Sequence, residues 1–217
     1  MKKCILFISL ILFLALMSGI AQAGLINSFV NIDFDSDGVT TPGPFKGFDA
    51  PDAPEIVGWT NYPAGPLNDA GIEGPGAWWN PYETNAGFMS TGDAAYTMST
   101  YTIQSGDVYT ISYYAMQWQW TGSGEWTATL FYDNPANVIG SYVQGGLPDN
   151  GTWLPFSDAT GIAATPASVG GTLGILMTST GTGIAQIDEL TVDVVPEPAT
   201  MLLLGLGSLA LLRRRKS

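Results

Sequence analysis

Three sets of side chains in this sequence have the types and spacing to do chemistry. The first is a run of carboxylates, Asp33-Phe34-Asp35-Ser36-Asp37-Gly38. Alternate acids closed by a glycine match the opening of a calcium loop, where oxygens converge on the cation and glycine permits the sharp turn. An EF-hand would place a bidentate Glu at the twelfth loop position; Pro44 stands there, which excludes that form. An Asp-rich turn that satisfies its own backbone is the other reading of the same residues. The second set is aromatic. All seven Trp (59, 78, 79, 118, 120, 126 and 153) lie in the body of the chain. In an extended strand over residues 108–120, alternation puts Tyr109, Ile111, Tyr113 and Ala115 on one face. Thr110, Ser112, Tyr114, Met116, Trp118 and Trp120 fall on the other. The first reads as a core face. The second mixes hydroxyls with large rings, a mixture that stacks on pyranose C–H groups and pairs with sugar hydroxyls. Tyr114, Trp118 and Trp120 are therefore the candidate platform for a polysaccharide, with Trp78 and Trp79 as a loop edge. Rings packed inward, or a bulge that shifts the phase, are the alternative. The third set would be two facing carboxylates for glycosidic cleavage, which requires a separation of about 5–9.5 Å. Acids are plentiful, but no spacing singles out a pair.

The composition limits the remaining chemistry. The 217 residues hold 19 Asp and Glu, 7 Lys and Arg and no His, for a net charge of −12. Every acid except Glu197 lies between Gly24 and Val195, where Lys46 is the only base, and the single cysteine is Cys4. The body thus has no Ser–His or Cys–His nucleophile, no thiolate or imidazole metal site and no arginine clamp for phosphate. Its acidity excludes nucleic acid as a partner, because phosphate neutralisation dominates that binding. Without disulfides the fold rests on its core, or on a cation held by oxygens, and a dication would relieve the repulsion among the acids.

The two ends read as addresses. Residues 1–23 combine Met1-Lys2-Lys3, an apolar stretch over 4–17 and the small-x-small site Ala21-Gln22-Ala23. This is the pattern of a secretory signal helix, handled by the Sec translocon and removed by signal peptidase. At the other end Pro196-Glu197-Pro198 leads into an apolar run over 199–212, then Arg213-Arg214-Arg215-Lys216. That run is short against the ~20 residues that span a bilayer, but snorkelling arginines extend it. The cations would hold that end in the cytoplasm. These three parts, over residues 195–217, resemble the PEP-CTERM sorting domain. The resemblance implies recognition by an exosortase, a membrane protease of Gram-negative bacteria associated with exopolysaccharide. It implies anchoring in the inner membrane by a short hydrophobic helix, cleavage near the Pro-Glu-Pro, and delivery of the body to the cell surface or extracellular matrix.

Residues 24–194 read as one all-β domain. Short alternating runs separated by Gly, Pro, Asn and Asp predict strands over 25–34, 108–120, 125–132, 138–143, 153–157, 172–178 and 184–194. The turn Thr121-Gly122-Ser123-Gly124 predicts a hairpin between the second and third of these. Residues 35–90, richer in Pro and Gly, predict long ordered loops. Several pieces in order resemble the galactose-binding-like jelly roll of carbohydrate-binding modules. They are Asn31-Ile32-Asp33-Phe34-Asp35, Gly58-Trp59, Tyr109-Thr110-Ile111-Ser112-Tyr113, Trp153-Leu154-Pro155-Phe156-Ser157 and Ile187-Asp188-Glu189-Leu190. The resemblance implies a jelly-roll β-sandwich, with Trp59 and Trp153 in its core. It also implies a structural calcium where the first and last strands meet, with Asp33 or Asp35 and Asp188 as ligands. The expectation is an exported, non-enzymatic, glycan-binding module. The alternatives are a structural matrix protein with no specific ligand and, third, a glycoside hydrolase.

Overall fold

Alternation of apolar with hydroxyl-bearing residues runs through most of the body, and it is realised as strands. The computed structural model describes residues 24–37, 45–47, 56–63, 70–74, 82, 84–117, 122–147 and 150–195. The expected signal helix over 1–23 and the hydrophobic segment with its Pro196, Glu197, Pro198 and Arg213–Arg215 lie outside the described residues. The strands are β1 (Gly24–Leu25), β2 (Phe45–Gly47), β3 (Trp59–Asn61), β4 (Ala70–Glu73), β5 (Ala86–Ser90), β6 (Ala94–Thr102) and β7 (Val108–Gln117). They continue with β8 (Gly124–Tyr132), β9 (Asn134–Gln144), β10 (Leu154–Ser157), β11 (Ile162–Ala163), β12 (Thr172–Gly181) and β13 (Ile184–Val195). The sole helical element among the described residues is one 3-10 turn at Asp35–Asp37.

The strands form a jelly-roll sandwich of two antiparallel sheets. The eight-stranded sheet runs β10-β7-β13-β5-β4-β2, with β1 paired to β13 and β11 to β7. The five-stranded sheet runs β3-β6-β12-β8-β9. From β5 onward the chain passes back and forth between the sheets, apart from the β8–β9 hairpin and the β10–β11 turn. The inner faces meet in one core. It takes Tyr109, Ile111 and Ala115 from β7, Ile187, Leu190 and Val192 from β13, Trp126 and Leu130 from β8, and Leu173, Ile175 and Met177 from β12. Each such side chain fully buried is worth roughly 1.5–3 kcal/mol.

Three expectations are corrected. The hairpin between residues 108–120 and 125–132 does not form, because β7 and β8 belong to different sheets. The chain passes from one sheet to the other instead. Gly122 has φ of +119°, and the Thr182 amide donates to Ser123 O at 2.9 Å while Ser123 N donates to Thr182 Oγ1 at 3.1 Å. The β7–β8 crossing is thereby tied to the β12–β13 crossing rather than closed on itself. The strand expected over 25–34 is only Gly24–Leu25; beyond it the chain turns, with Asn31 at φ +52° and Phe34 at φ +63°. The stretch 35–90 is not loop alone: β2, β3, β4 and β5 lie within it, and β6 follows directly.

Candidate functional site

The alternation expected along β7 is realised. Tyr109, Ile111, Tyr113 and Ala115 are buried in the core, whereas Thr110, Ser112 and Tyr114 are half-buried on the outer face of the eight-stranded sheet. The neighbours of β7 complete that face by register. Pro155 and Ser157 of β10 pair with Tyr114 and Ser112, and Asp188 and Thr191 of β13 pair with the same two residues from the other side.

Between Asp188 and Thr191, β13 makes three steps while β7 makes two, which is a β-bulge. Glu189 occupies the bulge at φ +51°, and its N–H donates to Asp188 Oδ1 at 2.7 Å. The extra residue flips the phase, so Ile187 and then Leu190 and Val192 all reach the core. It also turns Glu189 toward a groove of about 450 Å³ lined by Ser112, Tyr114, Pro155, Ser157, Glu189 and Thr191. In its lining the hydroxyls of the paired residues Ser112 and Thr191 are hydrogen-bonded at 2.9 Å. The floor includes Tyr113 and Phe156, whose rings pack at 5.9 Å in the core. Burial, with a smaller contribution from Tyr142, pushes the Tyr113 phenol well above its ordinary range, and its hydroxyl is held neutral.

At the rim the rings gather. Tyr82 stacks on Tyr114 with centroids 3.8 Å apart and planes at 16°. Trp153 meets Tyr82 edge-on, at 6.0 Å and 63°. Tyr82 is 38% exposed and Trp153 half-buried, so both have ring surface to offer. The expected core position of Trp153 is therefore corrected: it precedes β10 and joins the outer rings. Trp59 is in the core as expected, stacked on Phe34 at 5.1 Å. Of the residues expected in the platform, Tyr114 lies half-buried on the outer face; Trp78, Trp79, Trp118 and Trp120 lie outside the described residues. Tyr82 went unread in the sequence because it sits in a Pro- and Gly-rich stretch and meets Tyr114 only through the fold.

The expected calcium ligands Asp33, Asp35 and Asp188 lie in the turn after β1 and on β13. Asp33 Oδ1 accepts the Asp35 amide at 3.3 Å, and Asp35 Oδ1 accepts the Asn85 amide at 3.1 Å. Asp188 is buried, on the face that Tyr114 shares. Among the described residues no three acids gather in a way that could hold a metal ion. Asp33 does share a second depression, of about 360 Å³, with Glu189, at the junction of the first and last strands. The adjoining turn is a hydrogen-bonded unit. Trp59 Nε1 donates to Asn31 O at 2.8 Å, Asn31 Nδ2 to Val57 O at 3.2 Å, and Ser36 N to Asn31 Oδ1 at 2.8 Å. Asn31, Phe34 and Trp59 of the resembled motif thus hold the turn together.

Comparison with known proteins adds the fold and the address. No curated protein matches the chain. A cyclase from Fischerella sp., in its apo form, is similar over 81% of this chain and 98% of its own, at 16% identity and a TM-score of 0.62. A Stig cyclase, Fisc from Fischerella sp. TAU, in complex with (3Z)-3-(1-methyl-2-pyrrolidinylidene)-3H-indole, is similar over 81% and 99%, at 17% identity and 0.60. The CBM22-1 xylan-binding domain from Paenibacillus barcinonensis Xyn10C is similar over 72% and 98%, at 14% identity and 0.44. The cyclases share the architecture, and at such identities the likeness concerns the fold alone. Residues 194–216 match the PEP-CTERM protein-sorting motif, which implies an exported protein processed by an exosortase.

Proposed function

We propose that the body is a non-catalytic polysaccharide-binding module, sorted through its tail to the cell surface or matrix. The observation that carries this reading is the Tyr82–Tyr114–Trp153 ring cluster, whose Tyr114 lines a groove together with the hydroxyls of Ser112, Ser157 and Thr191. Rings offer flat apolar surface to sugar C–H groups, while Ser112, Ser157, Thr191 and Glu189 offer donors and acceptors to sugar hydroxyls. Glycosidic cleavage uses two carboxylates across the bond. Glu189 is the one carboxylate lining this groove among the described residues, which supports binding over hydrolysis. A structural calcium is a further part of the proposal, supported by Asp33 and Glu189 sharing the depression between the first and last strands.

The test is retention of the processed protein on immobilised polysaccharides, with calcium and then with a chelator, alongside release of reducing ends. Retention on one glycan class without release is expected. Trp153→Ala or Tyr114→Ala should weaken it by roughly 10–100-fold, as for a central anchor residue. A folded protein held by no member of the panel, or held equally well by both variants, would sink the assignment. Reducing ends released by the native protein and not by Glu189→Gln would make it an enzyme.

A further inference from the structure

The outer face of the five-stranded sheet takes no part in the groove, and its pairing register sets its side chains in rows. One row runs Thr60, Tyr96, Leu176, Thr129 and Ser141. The next runs Ala94, Thr178, Thr127 and Val143, and a third runs Met98, Gly174, Phe131 and Val138. None of these residues is charged, in a chain with 19 acids. Carboxylates enter at the two ends of the face, where Glu125 pairs with Thr180 and where Asp133 Oδ1 accepts the Thr172 amide. The apolar members do not all sink into the sheet: Val138 and Val143 are 53% and 56% exposed, and Tyr96 and Met98 are half-buried. The bordering strand, β9, is 11 residues long and carries no charged side chain. Sheet edges and faces open to water ordinarily carry charges that prevent association.

We propose that this face is where two copies of the chain pack against each other about a twofold axis. Bodies this acidic repel on any approach that juxtaposes carboxylates, and salt screens the repulsion only beyond roughly 8–10 Å. The uncharged rows offer the approach on which repulsion is least and apolar surface leaves water. A twofold contact needs one self-complementary patch, and mixed hydroxyl and apolar rows meet that condition. A sugar chain suits the face less well. Tyr62 and Tyr96 cross at 83° with centroids 6.3 Å apart, and Tyr96 and Phe131 at 82° and 5.6 Å. Those rings pack edge to face into one another and present no coplanar surface.

Sedimentation equilibrium on the processed exported protein tests this, over a range of protein and salt concentrations. A dimer is expected, and it should tighten as added salt screens the acidic bodies. Val138→Glu combined with Val143→Glu brings four carboxylates into the twofold contact and should weaken association on the order of 100-fold. Both valines are exposed, so an unchanged unfolding midpoint is expected and confirms that the fold is intact. Val169→Glu alters an exposed valine in the loop before β12 and serves as the control that leaves the dimer intact. A monomer at every concentration overturns the proposal, as does a dimer indifferent to the double substitution. So does a monomer that binds neutral polysaccharide through Val138 and Val143. Tyr114→Ala, on the other sheet, should leave the dimer unchanged, which separates this result from that of the groove.

Discussion

The two outer faces of the sandwich grow from the same strand alternation and end with different chemistry. On the eight-stranded sheet the outward residues include Asp188, Asp193 and the bulged Glu189, beside Tyr114 and the hydroxyls of Ser112 and Thr191. That face also buries polar groups: Gln186 is fully buried there and its Nε2 donates to Glu73 Oε2. On the five-stranded sheet the three central outward rows are uncharged, and Phe131 is fully buried among Tyr96, Met98 and Leu176. The inner faces of both sheets share one core, which is mostly apolar. Only the outer faces were free to diverge, and the proposed glycan groove and the proposed twofold contact each use one of them.

The sharpest way to break that contrast is to delete a ring from each face. Phe131→Ala removes a fully buried ring and should cost about 3–5 kcal/mol of unfolding free energy. Tyr114→Ala removes a half-buried ring whose main partner is Tyr82, and should cost about 1 kcal/mol while weakening retention on polysaccharide. Urea unfolding monitored by tryptophan fluorescence measures both. Equal losses would mean that the two faces do not differ in the way described.

A smaller effect is expected at Gly174, which Phe131 overlies. A Cβ there would strike the Phe131 ring and come within 2.7 Å of the Met98 sulfur. Phe131 is fully buried and has little room to move. Gly174→Ala should therefore cost about 1–3 kcal/mol, as overpacking does. For a domain of this size that lowers the thermal midpoint by roughly 2–4 °C per kcal/mol. An unchanged midpoint would show that the aromatic cluster on this face is loose.

How far these faces were legible in the sequence depended on the amplitude of alternation. Strand β7 was legible because Tyr109, Ile111 and Tyr113 alternate with Thr110 and Ser112. Strand β6 was not, because its core-facing positions are Ala95, Thr97 and Ser99, small or polar residues that are buried all the same. The β7–β8 hairpin was misread because alternation on both sides of a glycine turn fits a return in one sheet and a crossing to the other equally well. The bulge at Glu189 leaves no signal in Ile187-Asp188-Glu189-Leu190, yet it sets which acid enters the groove. The turn over 26–37 carried its apolar residues at strand-like spacing, but Asn31 and Phe34 at positive φ make it a turn braced by Trp59. Tyr114 was found from alternation alone, whereas Tyr82 and Trp153 come to it from distant segments that only the fold brings together.

The smallest expected effect concerns what joins the two sheets. Tyr101 lies on β6 of one sheet and Tyr109 on β7 of the other, and both hydroxyls donate to Asp107 Oδ2, at 2.8 and 3.0 Å. The same oxygen accepts the Gln104 amide at 2.8 Å, so one carboxylate closes the connection between the sheets. Burial, then the hydrogen bond and charge of Asp107, pushes the Tyr101 phenol up from 10.0 to about 12; burial and Asp107 push Tyr109 up as well. Below pH 10 the folded and unfolded chains both keep these protons. Above it the unfolded chain releases them while the folded chain still holds them, so stability falls as pH rises from 10 to about 12. Tyr101→Phe should remove part of that slope, at a cost of about 1 kcal/mol near neutrality for the lost hydrogen bond. Urea midpoints at intervals from pH 8 to pH 12 measure it. A native protein whose stability is flat across that range would mean that the Asp107 junction does not hold the phenols neutral. Loss confined to the five-stranded sheet would show that the sheets unfold separately, which the shared carboxylate predicts they do not.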